Sequence, residues 1–218
     1  MQPTVSAFKW VPPFAQGLVR DLRVRWAMHE AGRGYEVQLI GPQDQASNAY
    51  RELQPFGQVP AYYDDGVILF ESGAIVLHIA DSSPQLLPEN FKARTRAKAW
   101  MFAALNTVEP PITVLHQLQQ MGVESDNAMR LAAVAAVERS LDSLAAWLGD
   151  RAYLEDDFTA GDLLMTTVLR NLRGTDVLDN YPTLAAYQQR CEAREAFQRA
   201  LGEQLQTFAD YQPTALMN

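Results

Sequence analysis

The sequence predicts an α/β domain followed by an all-α domain. Up to about residue 81, short β-like runs take turns with helical patterns, whereas beyond Phe91 only helical patterns occur. Between these parts, Pro84 and Pro88 flank a short segment that cannot continue a helix. We therefore expect an α/β domain over residues 1–82, a linker over 83–90 and an all-α domain over 91–218.

Composition and charge narrow the classes of function. The chain has 218 residues and a net charge of −8, which argues against nucleic-acid binding because phosphate contacts require a basic surface. No apolar run is long enough to cross a bilayer, and the start, Met1–Val5, lacks the basic and apolar segments of a secretory signal. The single cysteine, Cys191, excludes an internal disulfide. We therefore expect a cytoplasmic protein with no membrane partner.

The first part alternates strands with helices. Thr4–Phe8 is a predicted strand and Tyr35–Ile40 is a second one. The helix between them is predicted from apolar residues at helical spacing, and it ends near the glycines at 32 and 34. Those apolar residues are Leu18, Leu22 and Trp26. With the hairpin described next, the order becomes β-α-β-α-β-β-α, which is typical of a thioredoxin-like domain.

Arginine supplies most of the positive charge, and three arginines fall in the first predicted helix: Arg20, Arg23 and Arg25. Long basic side chains usually pack their aliphatic stems on the protein and keep their charge in water. We therefore expect these three to form a solvated face.

A hairpin and a capped helix close the first domain. Asp65-Gly66 stands between two apolar runs, and a tight hairpin turn needs residues that tolerate positive φ. Ser72 is placed to cap the following helix, with Glu71 immediately before it. A helix N-terminus presents N–H groups and the positive end of the helix dipole, so it attracts a carboxylate. Upstream, Val59-Pro60 is a place where a loop can leave a backbone to pair with an extended peptide.

The second part is predicted to be helical throughout. Pro110-Pro111 must interrupt or kink the helical pattern that begins at Phe91. Thr159 followed by Asp162 resembles a capping box, so we expect both residues to be structural. Between Pro110-Pro111 and Thr159 lies an amphipathic helix whose apolar residues are spaced by three and four: Val134, Val137, Leu141, Leu144 and Leu148.

Val59-Pro60 followed by Glu71-Ser72, in this order and spacing, resembles the glutathione-binding half of the cytosolic glutathione transferases. The resemblance covers nearly the whole chain, since the Thr159/Asp162 box also stands at the distance found in that family. It implies a cis Val59-Pro60 bond and a Val59 backbone that pairs with the cysteinyl part of glutathione. It also implies that Glu71 and Ser72 hold the γ-glutamyl end, and that Gln58 reaches the ligand.

The first loop departs from the family pattern. The family usually places a Tyr, Ser or Cys after the first strand to stabilise the glutathione thiolate, whereas Lys9–Arg20 contains no Tyr, Ser, Thr or Cys. A free thiol has a pKa of about 8.5, so a hydrogen bond to sulfur or a helix N-terminus must lower it. Three candidates remain open: the backbone N–H groups near Gln16 to Leu18, including Gly17, the side-chain amide of Gln16, and Arg20.

The resemblance also implies a pocket for a small hydrophobic electrophile between the two domains. Its candidate walls are Trp10, Val11 and Phe14 from the first loop, and Phe102, Asn106 and Leu115 from the helical domain. The implied reaction is attack of the glutathione thiolate on an electrophilic carbon. Alternatives are glutathione-dependent reduction of disulfides or peroxides, and a non-catalytic glutathione-binding module. No His, Cys and Asp residues have metal-ligand spacing, so glutathione is the only small molecule expected besides the electrophile. The family resemblance also implies a homodimer, with Phe56, Tyr62 and Tyr63 as residues that could face the partner.

Overall fold

A computed structural model describes residues 2–213 of the chain. These residues form two compact units: one comprises the described residues up to Ser83 together with those from Glu195 onward, and the other comprises Pro84–Arg194. The predicted domain limits at residues 1 and 218 lie outside the described part. The predicted linker at 83–90 stays a prediction.

The first unit has the predicted thioredoxin-like order, with its second helix in two pieces. Its elements up to Asp81 are β1 (Thr4–Phe8), α1 (Asp21–Glu30), β2 (Glu36–Ile40), α2 (Pro42–Ala46), α3 (Asn48–Leu53), β3 (Ala61–Asp64), β4 (Val67–Phe70) and α4 (Ser72–Asp81). The sheet order is β2-β1-β3-β4. β2 pairs parallel with β1, whereas β3 pairs antiparallel with both β1 and β4.

The hairpin turn confirms the sequence prediction. Asp65 has a φ of 46° and Gly66 a φ of 82°, so both central residues adopt the positive φ that this tight turn requires. The turn places the strongly apolar β4 at the edge of the sheet, next to the start of α4.

Two expectations for the first helix are wrong. α1 begins at Asp21, so Leu18 precedes the helix instead of belonging to it. The expected solvated arginine face does not form, because Arg23 and Arg25 are buried and only Arg20 is exposed. Burial of Arg25 is compensated by an ion pair, since its Nε donates to Asp21 Oδ2 at 2.8 Å.

The second unit is all-helical, as predicted. Its helices are α5 (Phe91–Ala103), α6 (Glu109–Gln120), α7 (Ala128–Leu148), α8 (Ala160–Leu169) and α9 (Pro182–Glu192). A π-helical segment, Ala104–Val108, joins α5 to α6 and places Pro110 in the first turn of α6. The predicted interruption is confirmed there, because proline has no N–H to give to the preceding helix.

The capping box at the start of α8 is also confirmed. The Thr159 backbone N–H donates to Asp162 Oδ2 at 2.8 Å, and Thr159 Oγ1 accepts from the Gly161 N–H at 3.2 Å. Asp162 Oδ1 accepts from the Leu154 N–H at 2.9 Å and from the Tyr187 hydroxyl at 3.0 Å. Thr159 and Asp162 are therefore structural residues that fix the entry of α8.

The last helix, α10 (Glu195–Asp210), packs against α1 in the first unit. The Trp26 and Phe197 rings meet edge to face with centroids 4.8 Å apart. Gln204 Nε2 donates to Asp21 Oδ1 at 2.7 Å and to the Val19 carbonyl at 3.2 Å. The sequence range 91–218 thus includes a helix that belongs structurally with the α/β unit. None of the helices among residues 2–213 is long and apolar enough to cross a membrane.

Candidate functional site

The loop that enters β3 presents an unpaired backbone. The Val59-Pro60 bond is cis, as the resemblance implies. The Val59 side chain is buried in a cluster with Ile40, Tyr50 and Ala61. Among residues 2–213, neither the N–H nor the C=O of Val59 makes a hydrogen bond. This backbone can therefore pair with an extended peptide laid along the loop, as an added strand does.

The start of α4 differs in detail from the predicted cap. Ser72 is the first helical residue and Glu71 occupies the cap position, so the prediction that Ser72 caps the helix is wrong. Glu71 has a φ of 67° and a ψ of 114°, a conformation that residues other than glycine rarely adopt, and its side chain is exposed. The first N–H groups of α4 have no acceptor within the helix. They face the same end of the helix as Glu71 and Ser72.

An arginine from α1 sets the hydrogen bonding of Ser72. Arg23 Nη1 donates to Ser72 Oγ at 3.2 Å, and both residues are buried. Because a guanidinium can only donate, Ser72 must accept from Arg23 and its own proton points to another acceptor. A buried positive charge therefore lies next to a hydroxyl that is oriented to donate, which suits a carboxylate ligand.

The first loop does not form the helix N-terminus that the sequence suggested. A 3₁₀ turn covers Pro13–Ala15, and the Gln16 N–H donates back to the Pro13 carbonyl at 3.3 Å. The Leu18 N–H likewise donates to the Ala15 carbonyl at 3.0 Å. These two amides are already bonded within the turn, and α1 begins only at Asp21, so the candidate backbone donors near Gln16–Leu18 do not stand at the N-terminus of α1.

The side chains named for the thiolate lie along this loop. Gln16 Nε2 donates to the Val11 carbonyl at 3.1 Å, which fixes the amide against the loop. Gly17 is buried with a φ of 76°, and Arg20 is exposed directly before α1. The catalytic roles of these three residues stay predictions.

The residues named for the electrophile pocket are distributed over both units. In the first unit, Phe14 is 60% exposed, and Trp10 and Val11 are half-buried. The indole N–H of Trp10 is buried and has no acceptor among the described residues. Phe102 and Asn106 are exposed in the second unit, whereas Leu115 is buried. A pocket formed by both groups stays a prediction.

A cavity of about 770 Å³ lies elsewhere in the first unit, between the end of α1, β2 and α10. None of the residues predicted to bind glutathione lines it. Two of its arginines already have carboxylate partners, since Arg25 pairs with Asp21 and Arg33 with Asp64 at 2.8 Å. Among residues 2–213, no three His, Cys, Asp or Glu side chains are close enough together to hold a metal ion.

Comparison with known proteins identifies related families for both parts of the chain. The glutathione S-transferase N-terminal domain family matches residues 22–86, and the glutathione S-transferase C-terminal domain family matches residues 95–195. The glutathione S-transferase PARB of Nicotiana tabacum is 32% identical over 182 residues, which are 76% of this chain and 85% of that protein.

Solved structures share the fold. A glutathione transferase family member from Pseudomonas fluorescens, solved with two glutathione bound, has a TM-score of 0.80 and 24% identity over 92% of each chain. A glutathione transferase from Pseudomonas putida, solved with one glutathione disulfide per subunit, has a TM-score of 0.77 and 20% identity over 92% of this chain and 90% of that one. The two family matches together cover most of the sequence, so the chain belongs to the glutathione S-transferase family.

Proposed function

We propose that the first unit binds glutathione along the Val59 loop, with the γ-glutamyl end at the start of α4. The observation that carries this proposal is the Val59 backbone, whose N–H and C=O lack partners among residues 2–213. An extended peptide supplies both the donor and the acceptor that this backbone lacks. The cysteinyl residue of glutathione is such a peptide.

The start of α4 fits an amino-acid head group. The exposed Glu71 carboxylate pairs with the γ-glutamyl ammonium, while the N–H groups of α4 and the Ser72 hydroxyl bind its carboxylate. Arg23, which donates to Ser72, adds positive charge beneath that carboxylate. Gln58, with its exposed side chain, lies next to the proposed ligand backbone. Each charged group of the γ-glutamyl end thus meets a protein group of opposite charge.

We propose that the bound thiolate attacks a small hydrophobic electrophile. The sulfur forms a bond to carbon, and the leaving group departs with the electrons of the bond that breaks. Catalysis comes from the lowered thiol pKa and from positioning. Gln16 and Gly17 are the first candidates to stabilise the thiolate, and Arg20 is the second. Trp10 is added because its buried indole N–H has no acceptor.

The thiolate candidates are separated by spectroscopic titration of the bound glutathione thiol. In wild type we expect a pKa below the usual 8.5. Gln16→Ala raises it toward that value when the amide stabilises the thiolate, and Trp10→Phe does so when the indole N–H is responsible. An unchanged pKa in both variants would leave Gly17 and Arg20.

Turnover of chlorodinitrobenzene tests the transferase function itself. We expect chloride release and an S-aryl glutathione product. Retained binding on immobilised glutathione without turnover would contradict a transferase and favour the non-catalytic module. Absence of both binding and turnover would contradict the glutathione site.

Glutathione-dependent reduction is the second candidate reaction. The Pseudomonas putida relative was solved with glutathione disulfide, which favours a site that accepts two glutathione units. The first loop here has no cysteine, so a bound glutathione thiolate must attack the substrate disulfide and a second glutathione must complete the reduction. Reduction of a mixed disulfide faster than chlorodinitrobenzene conjugation would establish this reaction as the main one.

We further propose that the protein is a cytoplasmic homodimer. Phe56 and Phe70 stack edge to face with ring centroids 6.0 Å apart, and both are exposed, as is Ile68 in β4. A contiguous apolar surface of this kind is typical of a protein interface. Tyr63 is also exposed, whereas Tyr62 is buried and packs inside the unit.

A further inference from the structure

Two buried hydroxyl groups, those of Ser6 and Tyr50, form hydrogen bonds with the backbone of the Val59 loop. The Ala61 N–H donates to Ser6 Oγ at 2.7 Å, and Ser6 Oγ lies 2.7 Å from the Tyr50 hydroxyl oxygen. The Tyr50 hydroxyl donates to the Gln58 carbonyl at 2.7 Å. Ser6 belongs to β1 and Tyr50 to α3, so two separate elements meet at this loop. The chain of hydrogen bonds grips the backbone on both sides of Val59-Pro60.

The donor and the acceptor of each hydrogen bond in this series can be assigned in only one way. The Gln58 carbonyl can only accept, so the single proton of Tyr50 is used there. In the hydrogen bond between Tyr50 and Ser6, Ser6 is therefore the donor. Ser6 in turn accepts from the Ala61 N–H. Burial raises the pKa of Tyr50, more than the hydrogen bond from Ser6 lowers it, so the phenol stays protonated and able to donate. Every hydroxyl proton in the chain is thus committed to one acceptor.

We propose that Ser6 and Tyr50 are positioning residues for glutathione: they fix the Gln58 carbonyl and the Ala61 N–H so that the Val59 backbone between them is already oriented to pair with the tripeptide. This inference rests on the proposed glutathione site. A loop ordered before binding loses less conformational freedom on binding, and that saving appears as affinity. Neither residue touches the reacting sulfur in this scheme.

Tyr50→Phe tests the proposal with little change to packing. The ring lies in the cluster with Val59, Ala61 and Ile40, and phenylalanine keeps that ring while removing the hydroxyl. By calorimetry we expect glutathione binding about three- to tenfold weaker, which is the usual effect of one buried hydrogen bond. We expect the same factor for γ-glutamyl-alanyl-glycine, which has the same backbone but no thiol. The pKa of the bound glutathione thiol should not change.

Tyr62→Phe is the matched control. It removes a buried hydroxyl from β3 that donates to Asp64 at 3.1 Å, at the end of the strand away from Val59. We expect this variant to bind glutathione as wild type does, even where its melting temperature falls as much as that of Tyr50→Phe. Ser6→Ala provides a second variant, and combined with Tyr50→Phe it should weaken binding by less than the product of the two single effects.

The outcomes separate this inference from the proposed function. Wild-type protein that binds no glutathione overturns both. Wild-type protein that binds glutathione, with Tyr50→Phe and Ser6→Ala both equal to Tyr62→Phe, overturns the positioning role alone. The role is also overturned when Tyr50→Phe weakens binding of glutathione but not of the thiol-free tripeptide. Equal weakening for both tripeptides, with an unchanged thiol pKa, supports it.

Discussion

Glu71 combines an unfavourable backbone with an exposed carboxylate at the proposed ligand head group. Its φ of 67° is rare for a residue with a side chain, and such conformations cost about 1–3 kcal/mol. The next residue, Ser72, is buried and bonded to Arg23, so the chain must make this bend to enter α4. Conformations of this kind persist where the surrounding structure over-determines them, and they concentrate at functional sites.

Glu71→Gly separates strain from binding. Glycine adopts positive φ freely, so we expect the free energy of unfolding in urea to rise by about 1 kcal/mol. Loss of the carboxylate should weaken glutathione binding at least about tenfold, because a charge-assisted hydrogen bond is lost. Glu71→Ala is the control, with the same loss of binding and no gain in stability. A Glu71→Gly protein that binds glutathione like wild type would contradict the role of this carboxylate.

At the level of residues, the sequence indicates the local motif but not the distant side chains that hydrogen-bond to it. Val59, Glu71 and Ser72 stand in a short stretch whose turn and helix signals are read directly from the order of residues. Arg23 and Tyr50 were not found, because Arg23 meets Ser72 across 49 positions and Tyr50 meets Ser6 across 44. No short-range pattern reports such contacts.

At the level of elements, helices α5 and α8 pack closely against each other at Gly161. A Cβ on Gly161 would lie 2.6 Å from the Cβ of Trp100 and 3.1 Å from the Ala97 carbonyl oxygen. Gly161→Ala therefore forces the helices apart, and we expect the free energy of unfolding to fall by about 1–3 kcal/mol in urea. Gly202→Ala, in α10 with no atom within 4 Å of the added Cβ, should instead raise it by up to about 1 kcal/mol. Equal effects of the two changes would contradict this packing.

The contact of α10 with α1 and with Tyr35, the residue before β2, should depend on pH. Partial burial raises the pKa of Glu203, but the hydrogen bond from Tyr35 and the nearby His29 ring outweigh it, so the pKa lies below its ordinary value. The Tyr35 hydroxyl donates to Glu203, and His29 Nε2 lies 3.0 Å from it. A carboxyl with a lowered folded-state pKa stabilises the fold above its unfolded pKa, and this contribution is lost as pH falls through the folded value.

Glu203→Gln tests that contribution. At pH 7 we expect the variant to be less stable than wild type by no more than about 1 kcal/mol, because the side chain is 42% exposed and screened by solvent. The difference should shrink as pH falls below about 4.3, the usual pKa of Glu. Urea unfolding between pH 7 and pH 3.5 measures it. A difference that grows as pH falls below about 4.3 would contradict the assigned direction of the pKa shift.

At the level of elements, the order of strands and helices was predicted and the start of α1 was not. Leu18 stands at helical spacing with Leu22 and Trp26, which favours an earlier start. The 3₁₀ turn at Pro13–Ala15 and the positive φ of Gly17 hold the chain outside helical geometry up to Arg20. The hairpin was predicted correctly because its turn residues determine the backbone conformation on their own.

Over the whole molecule, the apolar surface around β4 predicts association of two chains. Phe56 is 65% exposed and stacks on Phe70, so Phe56→Glu places a charge in that surface. We expect light scattering to report a dimer for wild type and a monomer for this variant. Leu205→Glu, in α10, is a control that should leave the dimer intact. A dimer that persists in Phe56→Glu would contradict the assigned interface.

The fold class was readable from the sequence at this scale, but the return of α10 was not. The periodicity after Phe91 correctly indicates helices, yet it does not say which unit a helix packs on. The edge contact of Trp26 with Phe197 and the hydrogen bond from Gln204 to Asp21 are what attach α10 to the α/β unit. Such contacts depend on the folded arrangement of the chain and not on local spacing.

The amide NMR spectrum during titration with glutathione tests the proposed binding site most directly. The proposed site predicts that the Val59 N–H signal moves downfield and saturates, because its hydrogen gains an acceptor, and that the Ser72 amide moves with the same midpoint. The Val137 amide, buried in α7, serves as a reference that should not move. A Val59 signal that stays in place at saturating glutathione would contradict the account.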